Sequence, residues 1–163
     1  MNASPLLLVL LLARSQQAGR IDGDSFVSKR LGFRIERPGR EWAWKASEAG
    51  PSFTLAITEA RSAGKVQASV RVKSVLDGSS SGVLKQALAR IEGKAAYSEL
   101  ETFERKLAGR RSPGLSVRYR TGGTTWRIRQ QYLVEGGLRF VLQVHAPAEL
   151  FDKFARDFER IRA

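Results

Sequence analysis

The sequence contains no cysteine and a single histidine, His145, among its 163 residues. Without cysteine there is no disulfide framework, no thiol nucleophile, no thiolate metal site and no thiol for lipid attachment behind an export signal. With one histidine, a histidine-based metal site or a serine triad rests on one imidazole, although such chemistry requires a base together with an orienting partner. His145 stands at the end of a strand-like segment, before Ala146-Pro147, and is expected to be structural or solvent-facing. The chain also lacks G-x-x-x-x-G-K-S/T, G-x-G-x-x-G and H-E-x-x-H, the signatures of phosphate loops, dinucleotide folds and zinc proteases. Almost no activated nucleophile is left, which points to a protein that is not an enzyme and carries no cofactor. After the first fifteen residues no run of eighteen apolar residues occurs, so no helix in the body of the chain is expected to span a bilayer.

What is present begins with an apolar block, Leu6 to Ala13, followed at once by polar Arg14-Ser15-Gln16-Gln17. A block this short at the extreme N-terminus reads as a cleavable signal peptide over residues 1–15, with the mature start near Gln16 and a second candidate at Ala18/Gly19. Residues 16–23 are then expected to be a flexible N-terminus and 24–163 a single domain. The formal charge is +12, and cleavage removes only Arg14 from the count, leaving +11. So basic a chain favours anionic partners: an acidic protein or envelope component, nucleic acid, an acidic glycan or an anionic lipid surface.

Hydrophobic periodicity sets the elements. Phe26–Lys29 and Phe33–Arg37 read as short strands about a turn at Leu31-Gly32. Trp42 and Trp44 alternate with polar neighbours, as do Phe53, Leu55 and Ile57 and, after Gly64, Ala68, Val70 and Val72. An antiparallel meander follows from these. After the break at Asp77–Gly82, Val83, Leu84, Ala87, Leu88 and Ile91 keep helical spacing, with Ser80 or Ser81 as the cap. Tyr97–Leu107 fits either period and is assigned to a strand. Leu150, Phe151, Phe154, Phe158 and Ile161 line one face of a terminal helix that starts near Pro147.

Two glycine pairs fix the last hairpins. Gly122-Gly123 permits a tight two-residue turn, which pairs Tyr119 with Trp126, Val117 with Ile128 and Arg118 with Arg127. For Glu135-Gly136-Gly137 the side-chain period favours a three-residue loop. Tyr132 then lies beside Phe140, Gln130 beside Leu142 and Ile128 beside Val144, with the apolar residues on one face.

These registers gather Arg118, Arg120, Arg127 and Arg129 on a polar face, with Arg139 and His145 on the neighbouring strand. Directly opposed like charges destabilise a sheet, so either an anionic ligand or acids such as Glu99 and Glu101 must compensate them. The five arginines form the candidate anion-binding site. Glu99, Glu101 and Glu104 could hold a divalent cation, but without a loop motif they read as salt-bridge partners, and no metal site is assigned. Trp42, Trp44 and Trp126 are expected in the core or at its rim.

The order of these features resembles the PsbP-like fold. It is carried by Gly32-Phe33-Arg34-Ile35-Glu36-Arg37-Pro38 with Trp42 soon after, the helix near Val83–Ile91, the Glu135-Gly-Gly-Leu-Arg-Phe-Val hairpin and the Phe-rich terminal helix, over about residues 24–162. The resemblance implies an α+β domain, an antiparallel β-sheet with helices packed across it, acting as an accessory or binding protein without catalysis. No functional residue carries over, since the contacts of known members have no matching motif here. The expected function is an exported module that binds a protein or envelope component. The alternatives are a basic sheet surface for an anionic polymer or lipid headgroups, and a carrier of an apolar small ligand.

Overall fold

The computed structural model describes residues 19–49, 52–76 and 78–161; the proposed signal peptide lies outside them. Ten strands are described: β1 (Arg20–Asp22), β2 (Ser25–Ser28), β3 (Phe33–Glu36), β4 (Trp42–Ala49), β5 (Ser52–Glu59), β6 (Gln67–Ser74), β7 (Tyr97–Leu107), β8 (Arg110–Thr121), β9 (Thr124–Glu135) and β10 (Leu138–Pro147). The helices are α1 (Ser80–Ile91), α2 (Ala148–Phe151) and α3 (Ala155–Arg160). The first three strands form a small sheet, and the other seven a large antiparallel sheet in the order β4-β5-β6-β10-β9-β8-β7. Two meanders, β4 to β6 and β7 to β10, are thus joined along a single seam between β6 and β10. The architecture is α+β, with an antiparallel sheet and helices across it.

Each face of the large sheet carries its own core, at opposite ends. On the front, Trp42, Leu55, Val70 and Val144 pack beneath Phe26 and Ile35 of the small sheet and beneath Phe151, Phe158 and Ile161 of the C-terminal helices. On the back, Leu115, Val117 and Tyr132 pack beneath Val83, Leu84, Ala87, Leu88 and Ile91 of α1. The Ser79 hydroxyl caps α1 by accepting from Gly82 N at 3.1 Å, and the Ser80 hydroxyl accepts from Val134 N at 3.0 Å, tying the helix to β9. The cap therefore falls one residue before the Ser80 or Ser81 expected from sequence. Gly114 in β8 has no space for a side chain, because the Phe103 ring lies over it and Gln130 O would be 2.5 Å from a Cβ.

The two-core arrangement corrects the second hairpin. Gly136 and Gly137 adopt φ 57° and 74°, as Gly122 and Gly123 adopt 56° and 78°, so both pairs make two-residue turns with positive φ at both central residues. Phe140 accordingly lies beside Leu133, Leu142 beside Gln131 and Val144 beside Arg129. The three-residue loop assumed one apolar face. In the structure the apolar residues of β9 and β10 are divided between the two cores, so Ile128, Tyr132 and Val141 point to the back while Phe140, Leu142 and Val144 point to the front.

Other expectations shift less. The first glycine turn has the expected register, with Tyr119 beside Trp126 and Arg118 beside Arg127. Tyr97–Leu107 is a strand, interrupted by a register shift between Ser98 and Glu101 where Glu99 holds φ 49°. Arg20–Asp22, within the N-terminus expected to be flexible, is the outer strand of a hairpin with β2. The terminal helix breaks into α2 and α3, yet Phe151, Phe158 and Ile161 still reach the front core. Pro147 ends β10 and precedes the first helical turn instead of lying in it.

Candidate functional site

Four of the five candidate arginines share the front face. Because β8 and β9 pair Arg118 with Arg127, Ser116 with Arg129 and Arg120 with Thr125, their side chains emerge on one face, where Arg127 and Arg129 meet the C-terminal helical segment. Arg139 does not join them: it sits beside Val134, and the corrected register turns it, with His145, to the back. The sequence-based placement of Arg139 and His145 on the arginine face is therefore wrong by one residue of register, which inverts a strand's faces.

Three of the front arginines have internal partners. Arg118 donates to Glu99 Oε1 at 2.9 Å. Arg127 donates to Ser116 Oγ at 3.1 Å, lies 3.7 Å from Asp152 and places its guanidinium 5.0 Å from the Phe151 ring centre. Arg129 approaches Glu159 at 3.0 Å, and Arg105 of β7 reaches the same Oε1 atom. Burial pushes the Arg129 pKa down, the Glu159 carboxylate opposes that shift, and Arg105 and Arg127 add to it. On Glu159 burial acts to raise the carboxyl pKa, but Arg105 and Arg129 outweigh it and the net shift is downward. Arg120 is exposed, with no carboxylate at ion-pair distance among the described residues. Of the acids considered for a cation, Glu99 serves Arg118 and Glu104 lies 3.3 Å from Arg111.

Beside Arg129 the front face holds a cavity of about 310 Å³, between the Leu107–Gly109 turn, Leu142 and Val144 of β10, and Phe158 and Ile161. It is lined by neither Trp42, which packs against Phe154 and Phe158 of the C-terminal segment, nor Trp44, which packs against Phe26 of the small sheet.

His145 is occupied within the back face. Its Nε2 is hydrogen-bonded with the Tyr119 hydroxyl at 2.8 Å, and its ring stacks on Trp126 with centroids 4.6 Å apart. Burial lowers its pKa, which favours the neutral imidazole. Trp126 is at the rim, as expected.

The surface that the sequence did not reveal is the rest of the back. On β4, β5, β6 and β10 its outward positions include Lys45, Thr54, Thr58, Ser69, Arg71, Lys73 and Arg139, and no acidic residue among those described. Helix α1, bordering it, has Lys85 and Arg90 and no acid. Lys73 and Arg139 are directly opposed across the β6–β10 seam. None of Lys45, Arg71, Lys73, Lys85, Arg90 or Arg139 has a carboxylate at ion-pair distance among the described residues. Burial raises the Tyr132 pKa to about 12, while the charges of Arg90 and Arg139 pull it down. The alternation of Arg71 and Lys73 signalled half of this face; the rest needed the strand order.

No protein-family description and no curated protein matches the sequence. Among solved structures the chain is similar to cyanobacterial PsbP (CyanoP) from Synechocystis sp. PCC 6803, with a TM-score of 0.59 and 12% identity over 90% of this chain and 94% of that one. It is also similar to a Pseudomonas aeruginosa protein of unknown function (TM-score 0.48, 9% identity, 82% and 83% covered). A third is LpqN of Mycobacterium tuberculosis, involved in cell envelope biogenesis (TM-score 0.43, 14% identity, 90% and 83% covered).

Proposed function

From the PsbP-like fold as premise, we propose that this domain is an exported, non-catalytic accessory module that binds an acidic protein or envelope component through the bare back of its large sheet. The observation that carries the proposal is the face on which Lys45, Arg71, Lys73 and Arg139 point outward with no acid among the described residues, two of them directly opposed. Opposed like charges are unfavourable alone and become favourable against an anionic partner. The N-terminal apolar block supports export. The face has no aromatic side chain on β4, β5 or β6 to stack nucleobases and no large apolar one to enter a bilayer, so the reading favours reversible, charge-driven docking.

The test compares two variants in capture from cell-envelope fractions at near-physiological salt. Arg71→Gln/Lys73→Gln/Arg139→Gln is expected to lose at least about tenfold in retained partner, with wild-type retention also falling steeply on added salt. Arg118→Gln/Arg127→Gln, on the front, is expected to retain it. Equal retention by both variants, or salt-insensitive retention, would refute the assignment of the back face. Recovery of the chain with Met1 intact from the cytoplasm would refute export.

A further inference from the structure

Beside the large front cavity lies a second of about 160 Å³, lined by Phe33, Arg34, Leu133, Glu135 and Phe140, and the two share Leu107, Ala108 and Leu142 in their walls. Their chemistry differs along this length. The end at β9 and α3 has Arg105, Arg129 and Lys106, and one carboxylate, Glu159, whose single Oε1 atom serves both guanidiniums. At the other end Arg34 and Glu135 are each engaged with outside partners, Glu36 at 2.8 Å and Arg110 at 2.6 Å, leaving a mainly apolar lining. The shared wall includes the β7–β8 turn, where Ala108, a residue with a side chain, holds the left-handed conformation at φ 50°. Such a conformation is unfavourable for alanine and persists only where its surroundings impose it.

From this we infer that the front of the domain binds a small amphipathic anion, a carboxylate or phosphate carried on an aliphatic body. Its head would sit on Arg129 and Arg105, and its body would run past Leu107 and Leu142 toward Phe33 and Phe140. The larger cavity lies at the lower end of the volume range of small-molecule sites, about 300 Å³, so the ligand is short or reaches the second cavity. Two guanidiniums, Arg129 largely buried and Arg105 exposed, that share one carboxylate oxygen retain donors for a second anion. Glu159 acts here as an internal competitor, an acid that the ligand head supplements or displaces. This site is on the opposite face from the proposed partner surface and stands or falls without it.

The experiment titrates the full domain with sodium decanoate, following heat of binding, with sodium acetate and 1-decanol as controls. Decanoate is expected to bind at least tenfold more tightly than either control. Glu159→Gln should tighten decanoate binding about threefold or more, and Arg129→Gln should weaken it at least tenfold. Should Arg129→Gln fold poorly, Arg105→Gln, at a more exposed position, should give a weakening in the same direction. Lys73→Gln/Arg139→Gln should leave the affinity unchanged. Decanoate binding no tighter than acetate, or decanol binding as tightly as decanoate, overturns the amphipathic-anion assignment. So does Glu159→Gln that weakens binding, or decanoate binding that is lost in the back-face variant.

Discussion

The two faces of the large sheet carry similar numbers of cations and treat them in opposite ways. On the front, Arg118, Arg127 and Arg129 are drawn into contacts with Glu99, Asp152 and Glu159 and with the C-terminal helices. On the back, Lys45, Arg71, Lys73 and Arg139 face outward, with no acid at the other back-facing positions of their strands among the described residues. The difference originates in the covers. The C-terminal helices and β7 bring carboxylates to the front, whereas α1 brings Lys85 and Arg90 and covers only the β8–β9 end of the back. Arg118, Arg127 and Arg129 are therefore part of the fold's internal electrostatics, and the back cations are a surface charge.

The largest expected effect probes whether the faces form one structure. Leu55→Ala in the front core and Leu115→Ala in the back core remove fully buried side chains, and each should cost about 2–5 kcal/mol. If both cores stabilise one sheet, each variant unfolds in a single transition by tryptophan fluorescence and far-UV dichroism together. Separate transitions would divide the molecule into its two cores.

A smaller effect distinguishes the faces by sign. Arg129→Gln, which breaks a half-buried contact with Glu159, is expected to lower stability by about 1–2 kcal/mol. Lys73→Gln, which relieves repulsion with Arg139, is expected to leave it equal or raise it by a few tenths to about 1 kcal/mol. Urea midpoints at fixed ionic strength provide the measurement, and a Lys73→Gln variant that loses stability would break the contrast.

The smallest effect is a pH dependence confined to the back face. Burial places the folded His145 pKa below its ordinary value of 6.5, so the unfolded chain binds the proton more readily. Stability from this group is fully present above the unfolded pKa and is lost as pH falls from there through the folded value. Thermal midpoints between pH 7.5 and 5 should show this loss, and His145→Gln should reduce the slope in that window.

Much of this was legible in local sequence. The Gly122-Gly123 turn and flanking alternation specified the β8–β9 register, and the spacing from Val83 to Ile91 specified a helix with a known apolar side. What failed was the assumption that apolar residues of adjacent strands share a side. Tyr132 and Phe140 serve different cores, and only the positions of α1 and the small sheet, both remote in sequence, determine which. The candidate site divided along the same line. The arginines on β8 and β9 were legible as a cluster because they lie on one hairpin. Their compensation by Asp152 and Glu159, and the meeting of Lys73 with Arg139, depend on long-range packing that periodicity does not encode.

The seam between β6 and β10 also bears on the speed of folding. Each meander can form from neighbouring hairpins, but the seam sets Ser74 beside Leu138 and Gln67 beside His145, partners more than sixty residues apart. Closing so long a loop carries an entropic cost that short hairpins avoid, which makes this junction the slow step in assembling the sheet. The same junction opposes Lys73 and Arg139, so the last strands to meet do so against their own charge. Salt that screens this pair should accelerate refolding even as it weakens the proposed docking on the back face, and an anionic partner present during folding would act on the rate as a template for closure.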